Sequence, residues 1–354
     1  MKKSKLCVST LFLLLFAFLA FTFTQANPNF AKAENDANYP LYTDNIVFGE
    51  EVYLGGIPLG ISVRGEGLIV VGLTDVITVE GAKMPERSGD ILVGDMIVAV
   101  NGKIVKTLQE LKNSILDNKP VKLSLKRGEM TRSVDITPLL DKLTNTYRIG
   151  IMIKEEVNGI GTLSFITLDN KYGALGHRIT DSESGLSFEL SQGQIYEATV
   201  TGVIKGERGK AGGLKGGFSK LATSVGTIEH NTSFGIFGTF SGNHKMEKVL
   251  VTNKNHVKMG KAQIYTTIEG TTPQYYDIEI VKCSQQNSLS EKGIVFNVTD
   301  PRLLEVTGGI VQGMSGSPIL QNGKLIGAVT HVFINDPTRG YGIYASFMLN
   351  KLNA

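Results

Sequence analysis

The stretch Gly313-Met314-Ser315-Gly316-Ser317-Pro318 decides how this sequence is interpreted. Gly316 has no Cβ atom, so the backbone can bend sharply there and leave the hydroxyl of Ser315 open to a substrate carbonyl group. The backbone N–H groups of Gly313 and Ser315 can then converge on a developing oxyanion. The stretch therefore predicts a nucleophilic serine in a tight turn, with Ser317 as the backup nucleophile.

The same six residues resemble the Gly-Asp-Ser-Gly-Gly-Pro loop of trypsin-like serine proteases. They depart from it at two positions, because Met314 stands where that loop has an acid and Ser317 where it has a second glycine. Clusters of Gly, Ser and Pro also form ordinary loops, so the prediction needs support from other parts of the chain.

Length and composition favour two domains built mostly from β-strands. The chain has 354 residues, contains 41 glycines and shows many short β-branched runs but few helix-period stretches. The formal net charge is +3, but four lysines and no acid lie in residues 1–33, which leaves −1 for the remainder. A nearly neutral body argues against nucleic-acid binding as the main function.

The first 33 residues predict a signal peptide or an N-terminal membrane anchor. Three lysines within the first five residues precede an apolar run from Leu6 to Phe23, and Ala31-Lys32-Ala33 fits a cleavage site. Both interpretations export the rest of the chain. Only Cys283 follows the apolar run, so we expect no intramolecular disulfide in the exported part.

Residues 34–49 predict a polar linker, and residues 50–140 predict an α+β PDZ domain. The clearest pattern is Gly94-Asp95 before a short apolar strand, then the turn signal Asn101-Gly102, then a helix that opens with a capping box at Thr107. The sequence resembles PDZ modules most closely over this run.

A PDZ domain implies a peptide ligand, because such modules add an extended peptide to a sheet edge beside a helix. We expect Leu108 and Leu111 of the predicted helix to contact that peptide. The backbone of Leu59, Gly60 and Ile61 is expected to hold its C-terminal carboxylate.

Residues 142–354 predict an all-β domain. Short apolar strands recur along these residues, and Asn322-Gly323 is a second hairpin signal. The pattern fits a double β-barrel, so the predicted fold class is mostly β throughout the exported chain.

A nucleophilic serine needs a base, and the base needs an orienting acid. His177 is the preferred base because it ends the run Tyr172-Gly-Ala-Leu-Gly-His177, which places the imidazole at the end of a strand. His331 ends an apolar strand and is expected to be packed, and the other three histidines lie among polar residues. The candidate acids are Asp300, in a turn before proline, Asp181, four residues after His177, and Asp336, another turn aspartate before proline. No His-Glu-x-x-His and no cysteine pair is present, so neither a metal nor an organic cofactor is predicted.

The order of these features resembles that of the stage IV sporulation protein B serine peptidases, over nearly the whole exported chain. The family likewise has an apolar N-terminal segment and places its PDZ module before the peptidase domain. The residues that carry the resemblance are Gly173–His177, Thr299-Asp300-Pro301, Gly308–Ile319, Gly323–Phe333 and Asn335–Ile343.

This resemblance implies a serine endopeptidase of endospore-forming bacteria, exported across the forespore membrane into the space between the two surrounding membranes. There it is expected to cleave itself and the extracytoplasmic part of a membrane protein that restrains an intramembrane protease, which activates a late sigma factor. Carried over by position, Ser315 is the nucleophile, His177 the general base and Asp300 the orienting acid.

The expected partners are a membrane-tethered protein substrate, a peptide bound by the PDZ domain and the membrane itself through the N-terminal segment, with no nucleic acid. Two alternatives stay open at this point. One is a catalytically inert PDZ adaptor whose serine turn is only structural. The other is an exported serine hydrolase that acts on non-protein substrates.

Overall fold

The structure, a computed structural model, describes residues 49–180, 190–284 and 290–352. Strands dominate this part of the chain, which confirms the prediction of a mostly β fold. The predicted signal segment, most of the predicted linker and Asp181 lie outside the described residues. Within them, no helix is both long enough and apolar enough to cross a membrane.

The first half of the chain forms thirteen described strands and one helix, α1 (Leu108–Asn113). The strands are β1 (Glu51–Leu54), β2 (Pro58–Gly65), β3 (Leu68–Leu73), β4 (Val76–Thr78), β5 (Gly81–Lys83), β6 (Met96–Val100), β7 (Lys103–Ile104), β8 (Val121–Arg127), β9 (Met130–Ile136), β10 (Leu139–Asp141), β11 (Thr146–Arg148), β12 (Ile151–Lys154) and β13 (Val157–Thr167).

The second half forms a further fourteen described strands, a 3₁₀ turn at Lys254–His256, and the helices α2 (Pro301–Thr307) and α3 (Ala345–Leu352). The strands are β14 (Lys171–Ala174), β15 (Leu190–Glu197), β16 (Thr199–Ile204), β17 (Gly213–Gly217), β18 (Gly226–Thr227), β19 (His230–Thr232), β20 (Gly235–Thr239), β21 (Lys248–Leu250), β22 (Gly260–Thr266), β23 (Gln274–Cys283), β24 (Ile294–Val298), β25 (Pro318–Gln321), β26 (Lys324–Phe333) and β27 (Asp336–Tyr344).

The sheet of the predicted PDZ domain, called the PDZ sheet below, has the strand order β12-β3-β6-β8-β9, with β7 paired to β6. Helix α1 opens at the predicted capping box: Thr107 Oγ1 accepts from the Glu110 amide at 3.1 Å, and the Glu110 carboxylate accepts from the Thr107 amide at 3.0 Å. Leu111 and Ile115 bury the inner face of the helical segment against the apolar side of this sheet. The capping box thus starts the helix where the sequence predicts it, and the apolar spacing orients it.

The part of the chain predicted to be a peptidase domain contains two β structures. One is a nine-stranded sheet, β18-β15-β2-β13-β14-β20-β19 with β1 and β21 at its side, which forms a half-barrel. The other is a closed six-stranded barrel in the order β22-β23-β24-β27-β26-β25. Helix α3 buries Phe347 and Met348 and packs on β26, β27 and β14, so it touches both.

The half-barrel includes two strands from the region predicted to be PDZ. Strands β1 and β2 pair with β13, and β2 pairs with β15 on its other edge. Seven of the eight residues of β2 are buried, which suits an inner strand of a large sheet better than the edge of a small domain. The boundary between the two sheets therefore does not lie at residue 140. The described chain starts in the half-barrel, then forms the PDZ sheet, and then returns to the half-barrel.

Candidate active site

The serine turn lies between α2 and β25, where two glycines with positive φ angles flank Ser315. Gly313 and Gly316 each have a φ of +95°, a conformation that side chains with a Cβ atom rarely adopt. A Cβ atom on Gly316 would lie 2.0 Å from the Thr162 carbonyl oxygen and 2.5 Å from the Leu175 amide nitrogen. Glycine is therefore required at 316 both for the bend and for the close approach of two neighbouring strands.

Strand β13 of the half-barrel holds the backbone of this turn. The Thr162 amide donates to the Ser315 carbonyl oxygen at 2.9 Å, and its hydroxyl donates to the Gly313 carbonyl oxygen at 2.8 Å. The Ser164 hydroxyl donates to the Gly316 carbonyl oxygen at 2.8 Å. Three carbonyl groups in four residues are thus fixed from one strand.

The amides of Gly313 and Ser315 are the predicted oxyanion donors. Among the described residues, no oxygen atom accepts a hydrogen bond from either of them. Backbone N–H groups without an acceptor next to a serine hydroxyl are what an oxyanion site requires before substrate binds. This arrangement fits the predicted role of both amides.

The hydroxyl of Ser315 is half-buried and donates to the Thr330 carbonyl oxygen at 2.9 Å. By contrast, Ser317 is fully buried, and its Oγ lies 2.7 Å from Thr266 Oγ1 and 2.6 Å from the Met314 carbonyl oxygen. Ser317 has no open side from which to attack a substrate, so the structure assigns it to packing rather than to a backup nucleophile.

His177 follows β14 in a turn made by Leu175 and Gly176, whose φ angles are +68° and +69°. Its Nδ1 atom lies 2.9 Å from the Arg178 carbonyl oxygen, so Nδ1 carries the proton and Nε2 is left as the basic nitrogen. Burial lowers the pKa of His177 below its usual value, while the bond to Arg178 acts in the opposite direction. The imidazole is therefore neutral at pH 7 and able to accept a proton.

The structure brings the turns of His177 and Ser315 together. Gly316 packs against Leu175, and a Cβ atom on Gly176 would lie 2.9 Å from Thr330 Cγ2, beside the carbonyl group that Ser315 contacts. The described contacts include no hydrogen bond between the two side chains. Base and serine thus share one site, with the serine hydroxyl turned to a backbone carbonyl group.

The structure does not bring Asp300 to this imidazole. Asp300 is the N-cap of α2: its Oδ1 accepts from the Arg302 amide at 2.9 Å, and its Oδ2 accepts from the Asp277 amide at 3.2 Å. The Arg302 guanidinium adds hydrogen bonds at 3.1 and 2.8 Å and holds the pKa of Asp300 at about 2. The local sequence Asp-Pro-Arg thus uses this carboxylate to start a helix, and the rival acid Asp181 lies outside the described residues.

Sequence reasoning missed the groups that do lie beside His177. The His331 ring centroid is 5.2 Å from that of His177, and His331 Nε2 is 3.5 Å from the Glu291 carboxylate. His331 was expected to be merely packed, and Glu291 was not singled out. The available signal was the position of His331 near the end of the apolar strand β26, the second strand after the serine turn.

The predicted PDZ contacts need one correction. Leu59, Gly60 and Ile61 lie in β2, where the chain is paired on both edges and a Phe218 ring covers Gly60. Their amides cannot hold a peptide carboxylate, because a strand inside a sheet uses its N–H groups for its neighbours. Leu108 and Leu111, by contrast, do line a PDZ cleft.

That cleft runs between α1 and β12 and has a volume of about 660 Å³. Within the described ranges β12 pairs only with β3, so its outer edge is open. Ile149 and Gly150 directly precede Ile151, the first residue of β12, and Gly150 has a φ of +63°. These three residues repeat the apolar-Gly-apolar pattern that the sequence also shows at residues 59–61. This repeat was the signal that could have located the cleft.

Comparisons with known proteins agree with this description. The profile of the family described as SpoIVB peptidase S55 matches residues 145–349, and the profile of the PDZ domain matches residues 58–137. The match to a peptidase family decides against a catalytically inert adaptor and against a hydrolase that acts on non-protein substrates. No curated protein matches the chain.

Two solved structures are similar to the chain at low identity. One is titled "Crystal structure of Rv3671c protease, inactive form"; it shares 16% identity at a TM-score of 0.31, with 55% of this chain and 85% of that chain covered. The other is an inactive serine-to-alanine mutant of Rv3671c from M. tuberculosis H37Rv, at 14% identity and a TM-score of 0.29, with 55% and 82% covered. The family match spans more than half of the 354 residues, and the chain therefore belongs to the SpoIVB peptidase S55 family, as a serine endopeptidase that carries a PDZ domain.

Proposed function

We propose that this chain is a sporulation endopeptidase that cleaves itself and the extracytoplasmic part of a membrane-bound regulator, in a cascade that activates a late sigma factor. Membership of the SpoIVB peptidase S55 family supports the proposal. The observation that carries it is the Ser315 turn, which β13 fixes through three hydrogen bonds and which packs against the turn of His177.

In the proposed mechanism, Ser315 forms an acyl-enzyme that water then hydrolyses. His177 Nε2 takes the hydroxyl proton as Oγ attacks the scissile carbonyl group, and the same proton passes to the leaving amine. The Gly313 and Ser315 amides stabilise the oxyanion. For this step the Ser315 hydroxyl must turn from the Thr330 carbonyl oxygen toward the imidazole.

The proposed location is the space between the two forespore membranes, with residues 1–33 as an export signal or as the membrane anchor. The support is the lysine-rich start of the sequence followed by its apolar run. The proposed substrate is accordingly a protein segment tethered to a membrane.

The PDZ cleft is proposed to bind a peptide with a free C-terminus. The open edge of β12 offers backbone groups for a further strand, and Leu108, Leu111 and Ile115 offer an apolar wall for the last side chain. The amides of Ile149 and Gly150, which donate to no described oxygen atom, are the proposed carboxylate donors. The ligand is either a substrate tail or the N-terminal part of this chain after cleavage.

The test is self-cleavage of the purified full-length chain, followed by intact mass over time. Wild type is expected to shorten at discrete sites in its N-terminal region, and Ser315→Ala is expected to stay intact. Ser241→Ala is the matched control, because Ser241 is exposed and lies in the same part of the chain. Equal shortening of Ser315→Ala and wild type would contradict the proposal.

A further inference from the structure

We propose that the PDZ cleft selects a peptide whose last and third-last residues are both apolar, and that it rejects serine or threonine at the third-last position. The inference rests on the proposed function, which gives this cleft a peptide with a free C-terminus as its occupant. A strand added to a sheet edge turns every second side chain to the same face, so the pockets that meet alternate side chains decide which sequence binds.

Strand β12 turns two isoleucines toward the cleft and the methionine between them away from it. Ile151 and Ile153 line the cleft and pack on the apolar cluster of the PDZ sheet. Met152 is exposed on the opposite face, where its Sδ atom lies 3.2 Å from the position that a Cβ atom on Gly72 of β3 would take. An added strand therefore runs past Ile151 and Ile153 and meets the cleft with alternate side chains.

Helix α1 starts beside the far end of this strand. Glu155 directly follows β12, and its Oε2 atom accepts from the Leu108 amide at 3.1 Å. Its Oε1 atom lies 3.4 Å from the guanidinium group of Arg64, on β2 of the half-barrel. Both oxygen atoms of this carboxylate are thus occupied, and Leu108 is fixed at the Ile153 end of the cleft.

The cleft consequently has two apolar pockets, one after the other along β12. Leu108 and Ile153 form the first pocket, and Leu111, Ile115 and Ile151 form the second. The helix rises about 4.5 Å from Leu108 to Leu111 and the strand about 6.6 Å from Ile151 to Ile153, so the pockets are spaced like alternate residues of a strand. The second pocket lies nearer the proposed carboxylate donors. It therefore takes the last side chain of the peptide, and the first pocket takes the third-last.

The first pocket suits an apolar side chain and not a hydroxyl group. Leu108 and Ile153 are only half-buried, and among the residues described neither α1 nor β12 brings a hydroxyl or amide side chain to the cleft. Such side chains come from Thr74 and from residues 144–147. Those residues lead toward the start of β12, and the Thr74 amide donates to the Gly150 carbonyl oxygen at 3.0 Å, so these groups lie at the carboxylate end. A threonine hydroxyl buried in the first pocket would lose water without gaining a partner.

The charged residues that line the cleft are consistent with this assignment. Asp75, Lys112 and Arg148 are all exposed. Lys112 lies in the last turn of α1 and Arg148 directly before Ile149, so both cations lie toward the carboxylate end rather than beside Leu108. Their positions suit a terminal carboxylate and leave the third-last side chain among apolar groups.

The test measures the binding of three peptides, each with a fluorescent label at its amino end, to the full-length Ser315→Ala chain by anisotropy. The substitution keeps the chain and the peptides from being cut. The leucine peptide is Gly-Ser-Gly-Ser-Gly-Leu-Ser-Val with a free carboxylate. The shifted peptide exchanges its leucine with the serine that follows, which keeps the composition but turns the leucine away from the cleft. The threonine peptide has threonine in place of the leucine.

The leucine peptide is expected to bind roughly 10- to 100-fold more tightly than either of the other two, the difference that burial of one leucine side chain makes. Leu108→Asn keeps a side chain of similar size but offers an amide to a hydroxyl group. It should bring the leucine and threonine peptides within about threefold of each other. Leu92→Asn is the matched control, because Leu92 is exposed and does not line the cleft, and it should leave the preference unchanged.

Equal affinity of the leucine and threonine peptides, or of the leucine and shifted peptides, would overturn the inference. A Leu108→Asn chain that loses affinity for both peptides equally would also overturn it, because Leu108 would then only pack α1. Failure of the proposed function gives different results. If no peptide binds, the cleft is not a peptide site and both proposals fall. If the leucine peptide binds as tightly with its C-terminus amidated, the proposed carboxylate contact fails and the side-chain preference stands.

Discussion

Two turns of the same barrel, around Ser315 and around Asp300, show how a functional residue differs from a structural one. Asp300 precedes a proline and Ser315 precedes a glycine, each in a motif that the sequence marks as a candidate for catalysis. The Asp300 carboxylate binds residues close by, the Arg302 side chain and the amides of Arg302 and Asp277. The Ser315 turn is instead held by residues about 150 positions away in the chain, and its amides have no described acceptor.

The difference teaches that a group whose hydrogen bonds are all satisfied has a structural role here, whereas a group with an unsatisfied hydrogen bond indicates a catalytic role. The Asp300 carboxylate accepts from the Arg302 amide and guanidinium at the start of α2 and from the Asp277 amide of β23, so both of its oxygen atoms are already occupied. At the serine turn the carbonyl groups of Gly313, Ser315 and Gly316 accept hydrogen bonds, whereas the Gly313 and Ser315 N–H groups have no described acceptor. The same reasoning directs attention to His331, whose buried Nδ1 has no hydrogen-bond partner among the described residues.

The largest expected effect separates the two turns directly. Ser315→Ala should lower turnover of a generic protein substrate by roughly 10⁶-fold, because it removes the nucleophile. Asp300→Asn should retain more activity than that, since asparagine can also cap α2. Casein hydrolysis by the two variants, measured side by side, checks which variant loses more activity. Equal losses would mean that Asp300 takes part in catalysis.

Gly316→Ala should be the most destabilising substitution in the serine turn. The new methyl group would meet the Thr162 carbonyl oxygen at 2.0 Å on a backbone with a φ of +95°, so we expect a loss above about 4 kcal/mol. Gly323→Ala is the matched control, because its φ is +72° but no atom lies within 4 Å of the added group. Its expected cost is about 1 kcal/mol, and urea unfolding of both variants measures the difference.

Thr162→Val should loosen the turn without removing any reacting group. The change keeps the shape of the side chain but deletes the donor to the Gly313 carbonyl oxygen, which costs about 1–3 kcal/mol when the acceptor stays buried. Thr201→Val is the control, since Thr201 is exposed and its bond to Lys215 is a long 3.4 Å. A Thr162→Val chain with unchanged stability and labelling rate would mean that the Thr162 hydroxyl does not help β13 to hold the turn.

The smallest expected effect belongs to the charge of Asp300. Its pKa is lowered from 3.8 to about 2 in the folded chain, so the ionised form adds stability that is present above pH 4 and lost as the pH falls toward 2. The contribution is about 1–2 kcal/mol, because Arg302 is largely exposed to water. Unfolding free energies of wild type and Asp300→Asn should differ at pH 7 and converge near pH 2, and a constant gap would contradict this assignment.

Local patterns in the sequence predicted the parts of the molecule that local physics builds. The capping box at Thr107, the predominance of strands and the bend at Gly316 all follow from a few neighbouring residues, and the structure has each of them. His177 was also found locally, from a glycine turn at the end of a strand.

Such local patterns did not predict contacts between residues that are far apart in the sequence. Nothing near Leu59 tells that β2 pairs with β13 and β15 rather than with the PDZ sheet, because an apolar strand fits either place. The meeting of His331 and Glu291 depends on how β24 and β26 lie in the closed barrel. Asp300 was predicted to be the acid because of its position before Ser315. The pairing of its carboxylate with Arg302, two residues later, was overlooked.

The most direct test of the central claim is a mass-spectrometric map of the fluorophosphonate adduct on the full-length chain at pH 7. The account predicts one adduct, on Ser315, that disappears in Ser315→Ala and persists in Ser241→Ala. An adduct on another serine of the folded chain, or continued labelling of Ser315→Ala, would contradict it.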